Sequence, residues 1–139
     1  MAELLHAVIS TSSIHRLDTT DVRRLAEFYR QFLGLVYRPG DEEPGDDDWL
    51  VLTWPHGRHA LAFNRVDESE MAPSDWPAPG AVKHMHLDTV VRSVAELDAE
   101  HARALGLGAS LRLDRSDDPD EPLRAYADPA GHIFCIFVG

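Results

Sequence analysis

The stretch KHMHLDTVV, residues 83–91, decides the fold. Its polar and apolar residues alternate, which predicts a β-strand with two chemically different faces. His84, His86 and Asp88 lie on one face, and the apolar residues between them lie on the other. A helix is predicted to begin at Ser93, because Ser93-x-x-Glu96 has the spacing of a capping box. The stretch is therefore the start of a strand–helix unit.

The same unit is found near the N-terminus, in IHRLDTTD at residues 14–21. A strand is predicted over residues 13–18 and a helix from Thr20 or Asp21, whose side chains suit an N-cap. Spacings of seven positions to the helix start and twenty to a terminal glycine are the same in both copies. The matching residues are Ile14, Asp21 and Gly34 in the first copy and His86, Ser93 and Gly106 in the second. The sequence therefore predicts one module used twice.

Each predicted helix is followed by three further strands, over residues 35–38, 49–54 and 59–66 in the first copy and 109–115, 123–127 and 132–138 in the second. The predicted fold is α+β, with two βαβββ modules whose curved mixed sheets form a cleft and whose helices lie on the outer face. We interpret residues 1–139 as a single domain. Module one covers about 13–66, a Pro-rich linker covers 67–80, and module two covers about 81–139. Residues before Ser10 are expected to add a strand or a short helix.

The formal net charge of −11 argues against nucleic acid and anionic membrane as partners, since both need a basic surface. It suits a cationic ligand, although an acidic balance also serves solubility alone. The single cysteine, Cys135, allows no intrachain disulfide, and we expect a cytoplasmic protein. The N-terminal residues lack the pattern of a signal peptide, and no apolar run is long enough to span a bilayer.

Several local motifs resemble the vicinal oxygen chelate superfamily, which includes glyoxalase I, extradiol dioxygenases, fosfomycin-resistance enzymes and bleomycin-binding proteins. They are LAEFYRQFLG at 25–34, HLD at 86–88, and DPAGH at 128–132 followed by Phe134 and Cys135. LAFNRV at 61–66, with Trp76-Pro77 after it, resembles the subgroup of glyoxalase-like domains. The resemblance implies the paired βαβββ fold, a cleft that holds a small molecule, and a homodimer.

The resemblance also implies four metal-ligand positions, one on the first strand and one on the last strand of each module. Here they fall on Ile14 and Leu61 in module one and on His86 and Cys135 in module two. Ala62 replaces Leu61 if the module-one turn holds one more residue, and a second alignment sets Arg16 opposite His86. His86 is then the only surviving residue of the usual ligand type, with Cys135 in a ligand position. We therefore expect no complete metal site and no cofactor; the alternative is a divalent metal on a non-standard set such as His84, His86 and Cys135.

Six residues are candidates for contacts with a ligand in the cleft: His86, His84, Trp49, Arg16, Arg124 and Tyr126. The histidines can hold an anionic group or transfer a proton, and a tryptophan offers a stacking surface for a planar or cationic molecule. No catalytic residue is identified, and Asp88 is interpreted as a cap of the strand–helix connection.

The function expected from these observations is binding of an aromatic or cationic small molecule in the cleft, without a complete metal site. One alternative is a lyase, isomerase or dioxygenase that uses a metal or the histidine pair. The other alternative is an interaction subunit whose cleft is filled by its own side chains.

Overall fold

The computed structural model describes residues 15–81 and 85–139. Within them, module one contains β1 (His15–Thr19), α1 (Val22–Leu33), β2 (Val36–Tyr37), β3 (Trp49–Thr53) and β4 (His59–Arg65). Module two contains β5 (Leu87–Val91), α2 (Val94–Gly106), β6 (Ser110–Arg115), β7 (Leu123–Ala127) and β8 (Ile133–Val138). A short 3-10 turn, Glu68–Glu70, lies in the connection between the modules. Neither α1 nor α2 has the length and apolar character needed to cross a bilayer.

The two modules have the same strand order. The sheets run β1-β4-β3-β2 and β5-β8-β7-β6, with the first strand of each module parallel to the last and the other pairs antiparallel. This confirms the α+β class and the paired βαβββ modules with mixed sheets. The predicted strand over 35–38 is reduced to the two residues of β2. The element expected before Ser10, and the positions of Ile14 and His84, lie outside the described residues.

Helix α1 forms where its caps and its apolar spacing coincide. The Asp21 side chain accepts a hydrogen bond from the Arg24 amide at 3.1 Å, which satisfies one of the free N–H groups of the first turn. Gly34 ends the helix in the left-handed conformation, at φ 69°, where a side chain would be strained. The buried face is formed by residues at helical spacing: Val22, Leu25, Ala26, Phe28, Tyr29 and Phe32.

That face packs on a core that belongs to both modules. Phe134 of β8 lies 5.8 Å from Phe28 and 5.0 Å from Phe32, measured between ring centroids, and 5.2 Å from Tyr126 of its own sheet. One continuous cluster of buried side chains therefore joins module one to module two. Arg103 of α2 adds a polar link, because its guanidinium donates to the Phe32 carbonyl at 2.7 Å.

The acidic loop between β2 and β3 is held by one arginine of α1. The Arg23 guanidinium donates to both carboxylate oxygens of Asp47, at 2.9 and 3.0 Å, and to the carbonyls of Asp41 and Glu43. It also stacks on Tyr37, 4.7 Å from the ring centroid. These hydrogen bonds hold the pKa of the Asp47 carboxyl below its usual value and raise that of Arg23.

Replacing Arg23 by lysine is expected to destabilise the fold by about 1–2 kcal/mol, because an ammonium cannot reach this planar set of acceptors. The loop should also become more sensitive to proteolysis. The pKa of the Asp47 carboxyl is lowered in the folded chain. Its contact with Arg23 therefore stabilises the fold above the pKa of the unfolded chain, and this stability is lost as the pH falls from that value through the folded pKa. Urea unfolding at pH 7 and pH 3 measures the loss of stability and its dependence on pH, with the exposed Arg24→Lys as the control. Equal stability of the two variants at pH 7 would contradict this role.

Candidate functional site

The edge strands β1 and β5 lie on either side of a gap between the modules, which we call the seam. Within the described residues each strand pairs only with its own sheet. Two cavities occupy the seam, one of about 430 Å³ and one of about 370 Å³. They share four lining residues: His15, Tyr29, Leu61 and Leu87. The seam therefore has a volume that suits a small organic molecule.

The 370 Å³ cavity brings together residues of both modules that can form polar contacts. Arg16 and Asp18 of β1 line one side, and His86, just before β5, lines the other. His132 closes one end, with its Nε2 atom 2.7 Å from the Asp18 carbonyl oxygen. Asp18 is held in place by Asn64, whose amide donates to the carboxylate at 3.2 Å. Of the candidates from the sequence, Arg16 and His86 thus line the same cavity.

Trp49 does not line either cavity of the seam, but it lies near Arg16 on the sheet face that points away from the helices. Its neighbours Leu50 and Leu52 belong to the core under α1, so alternation directs Trp49 to the opposite face. The Arg16 guanidinium lies 6.0 Å from its ring centroid, at the outer limit of a cation–π contact. Trp49 is 37% exposed, so part of its ring is open to solvent.

Arg124 and Tyr126 lie on the other face of their sheet, under α2. The Arg124 guanidinium donates to Asp98 of α2 at 2.8 Å and to Asp114 at 3.2 Å. The Tyr126 hydroxyl is 2.9 Å from Nδ1 of His101, and burial raises its pKa to about 12. Both side chains therefore have partners within module two and do not line either cavity of the seam. The Tyr126 side chain belongs to the core cluster, and the sequence alone did not reveal which face of β7 is buried there.

The strand pairing shows which residue of β4 corresponds to Cys135 of β8. A register shift near Thr53 leaves one extra residue in β4, so Ala62 pairs with Arg16 as Cys135 pairs with Asp88. Arg16 and Asp88 are each the second residue of their strand, so they correspond to one another in the two modules. The alternative alignment of Arg16 with His86 is therefore not favoured. Ala62 has no donor atom. The two-module donor set of metal-dependent relatives therefore does not fit this chain.

A different group of donors lies within module two. His86, Asp88 and Cys135 each place one ligand-type atom within 4.8 Å of the others. His86 Nε2 is 3.3 Å from Asp88 Oδ1, while the Cys135 residue is 7% exposed. Asp88, which we interpreted as a cap of the strand–helix connection, has its carboxylate beside His86, while the side chain of Ser93 caps α2. The alternation in residues 83–91 already placed Asp88 on the face of His86, and the missing signal was its pairing with Cys135 in β8.

The fold, with two βαβββ modules around a seam, defines a class of protein that three solved structures share. A fosfomycin resistance protein, FosX, from Listeria monocytogenes superposes with a TM-score of 0.65 at 14% identity, covering 91% of this chain and 89% of that one. A glyoxalase/bleomycin resistance protein/dioxygenase family enzyme from Burkholderia phytofirmans PsJN gives 0.63 at 16%, covering 91% and 96%. A lactoylglutathione lyase from Agrobacterium tumefaciens gives 0.56 at 21%, covering 92% and 94%. At these identities the likeness concerns the fold.

The particular family follows from the sequence. Residues 16–137 match the model of the glyoxalase-like domain, and the chain belongs to that family. No curated protein matches the chain significantly. The resemblance seen in the motifs at 25–34 and 128–132 is therefore confirmed at the level of the superfamily and the subgroup.

Proposed function

We propose that this protein binds a small aromatic or cationic molecule at the seam between its two modules. The observation that carries the proposal is the 370 Å³ cavity, which is lined from both modules and has Arg16, Asp18 and His86 among its walls. The Asp18 carboxylate can pair with a cation, and the net charge of −11 favours the approach of one. Trp49 offers an aromatic surface next to Arg16.

In this proposal an aromatic ring stacks on the open part of Trp49, and Arg16 moves aside or contacts an acceptor of the ligand. Stacking of this kind contributes about 0.5–1.5 kcal/mol beyond the area that is buried. Replacing Trp49 by alanine is therefore expected to weaken binding about twofold to tenfold. Asp18→Asn should weaken the binding of a cationic ligand and leave the binding of a neutral aromatic ligand unchanged.

The experiment is a titration with a panel of aromatic and cationic compounds, followed by tryptophan fluorescence and by calorimetry. Trp76→Phe, in the connection between the modules, is the control for general effects on fluorescence. A panel without any binder, or a binder whose affinity is the same in the wild-type chain and in Trp49→Ala, would overturn the proposed site.

A metal- or histidine-dependent lyase, isomerase or dioxygenase is the second candidate, and the group of His86, Asp88 and Cys135 favours it. Metal analysis of protein purified without a chelator, combined with an assay for turnover, separates the two candidates. A stoichiometric metal together with turnover of a substrate would support the enzyme. The open cavities of the seam do not favour an interaction subunit with a filled cleft.

A further inference from the structure

We propose that His86, Asp88 and Cys135 form a binding site for one thiophilic divalent cation, with Zn²⁺ as the ion that fits best. The site lies entirely within module two. It does not depend on the ligand proposed above, since the three donors belong to one sheet and its leading residues. It uses two of the positions implied by the resemblance, His86 and Cys135, but takes its third donor from Asp88 of the same sheet and none from module one.

Strand register brings the donors together. Asp88 of β5 and Cys135 of β8 are direct partners in the parallel ladder, so their side chains leave the sheet on the same face. His86 precedes Asp88 by two residues, and its Nε2 atom lies 3.3 Å from the Asp88 carboxylate. The hydroxyl of Thr89 donates to the Cys135 carbonyl at 3.2 Å and adds a further tie between the two strands. The positions of Asp88 and Cys135 are thus fixed by backbone pairing, and His86 lies just before the paired strand.

The separations are close to those of a metal site. All three ligand atoms lie within 4.8 Å of one another. A Zn²⁺ ion with bonds of about 2.0–2.3 Å holds its ligands up to about 4 Å apart, so small side-chain rotations are enough to close the group. His86 and Asp88 are free to make such rotations, because their side chains are 28% and 53% exposed.

The chemistry of the donors selects the ion. A thiolate, an imidazole and a carboxylate together suit Zn²⁺ or Co²⁺, while Mg²⁺ and Ca²⁺ prefer sites made only of oxygen. The thiolate and the carboxylate supply two negative charges, which balance the charge of the dication. Binding requires Cys135 to release its proton, so affinity should rise with pH. With three protein ligands, a tetrahedral ion keeps one position for water or another molecule.

Cobalt titration of the full chain tests the site. Cys135 is the only cysteine, so an ultraviolet thiolate-to-cobalt charge-transfer band can arise only from this residue. We expect the band to saturate at one ion per chain and to disappear when Zn²⁺ is added. His86→Gln and Asp88→Asn change partly exposed residues and should fold normally. Each is expected to weaken cobalt binding by about a hundredfold, and Cys135→Ser should abolish the band.

His56→Gln, in the exposed turn between β3 and β4, is the matched control and should bind cobalt as the wild-type chain does. Circular dichroism of each variant confirms that it is folded. Absence of the band at millimolar cobalt would overturn the proposal. Unchanged cobalt affinity in His86→Gln or in Asp88→Asn would overturn the three-ligand site, and so would equal weakening in His56→Gln.

Discussion

Replacing Phe134 by alanine is expected to lower the free energy of unfolding by about 3–5 kcal/mol. The Phe134 ring is fully buried and contacts Phe28 and Phe32 of α1 as well as Tyr126 of its own sheet. The substitution removes the apolar contacts and leaves a cavity where the two modules meet. Urea unfolding followed by circular dichroism measures the loss.

Phe137→Ala is the matched control, because Phe137 lies in the same strand with its side chain on the opposite face and is only partly buried. Phe137→Ala should lower the free energy of unfolding by about half as much as Phe134→Ala does. Since the core is shared, the Phe134→Ala chain should still unfold in one transition, with tryptophan fluorescence and circular dichroism coincident. Two separated transitions in the wild-type chain would show that the modules fold independently, which contradicts a common core.

Replacing Asp128 by alanine is expected to destabilise the chain by about 3 kcal/mol. Asp128 is 4% exposed and lies in the turn between β7 and β8. Its Oδ2 atom accepts a hydrogen bond from the Tyr29 hydroxyl at 2.6 Å, and its Oδ1 atom accepts from the amides of Ala130 and His132. Alanine leaves the buried Tyr29 hydroxyl and the two partly buried amides without this acceptor. The contact with Tyr29 of α1 also joins the two modules.

Asp128→Asn is the control variant, because its amide oxygen can accept from the two backbone amides while its NH₂ group faces the Tyr29 hydroxyl. It should retain most of the stability at pH 7. Tyr29→Phe removes a single hydrogen bond and should cost about 1–2 kcal/mol. Equal losses in Asp128→Asn and Asp128→Ala would show that packing, and not hydrogen bonding, explains the effect.

The same pair predicts a dependence of stability on pH. Desolvation raises the pKa of the Asp128 carboxyl above its usual 3.8, and burial raises the pKa of the Tyr29 hydroxyl well above 10. The folded chain therefore retains each of these two protons to a higher pH than the unfolded chain does. Stability should fall as the pH rises from 3.8 through the folded pKa of Asp128, and again above pH 10. Stability curves of Asp128→Asn and Tyr29→Phe measure the two parts.

Asp128→Asn should remove the acidic part of this dependence, and Tyr29→Phe should reduce the alkaline part. Tyr126, whose pKa is raised to about 12, keeps some of the alkaline loss in the second variant. Wild-type stability that stays constant or rises across both pH windows would contradict the raised pKa values.

The sequence by itself determined the repeat and most elements, because both depend on local patterns. The alternation in residues 83–91 and the N-caps Asp21 and Ser93 are properties of a few neighbouring residues. The structure has the strand over Leu87–Val91 and both caps at the predicted residues. His86 and Arg16 could be chosen as site residues for the same reason, since their strand faces follow from the alternation.

Only the tertiary structure decided what the other candidates contact. The extra residue in β4, which puts Ala62 in place of Leu61, arises from pairing between strands and has no local signal. Tyr126 and Arg124 are held under α2 by His101 and Asp98, which the sequence does not place next to them. Asp88 and Cys135 are distant in the chain and meet because parallel pairing of β5 with β8 sets their register. Contacts between distant residues depend on how the sheets assemble. For that reason the sequence suggested His86 and Cys135 as donors, but the place of Asp88 beside Cys135 was visible only in three dimensions.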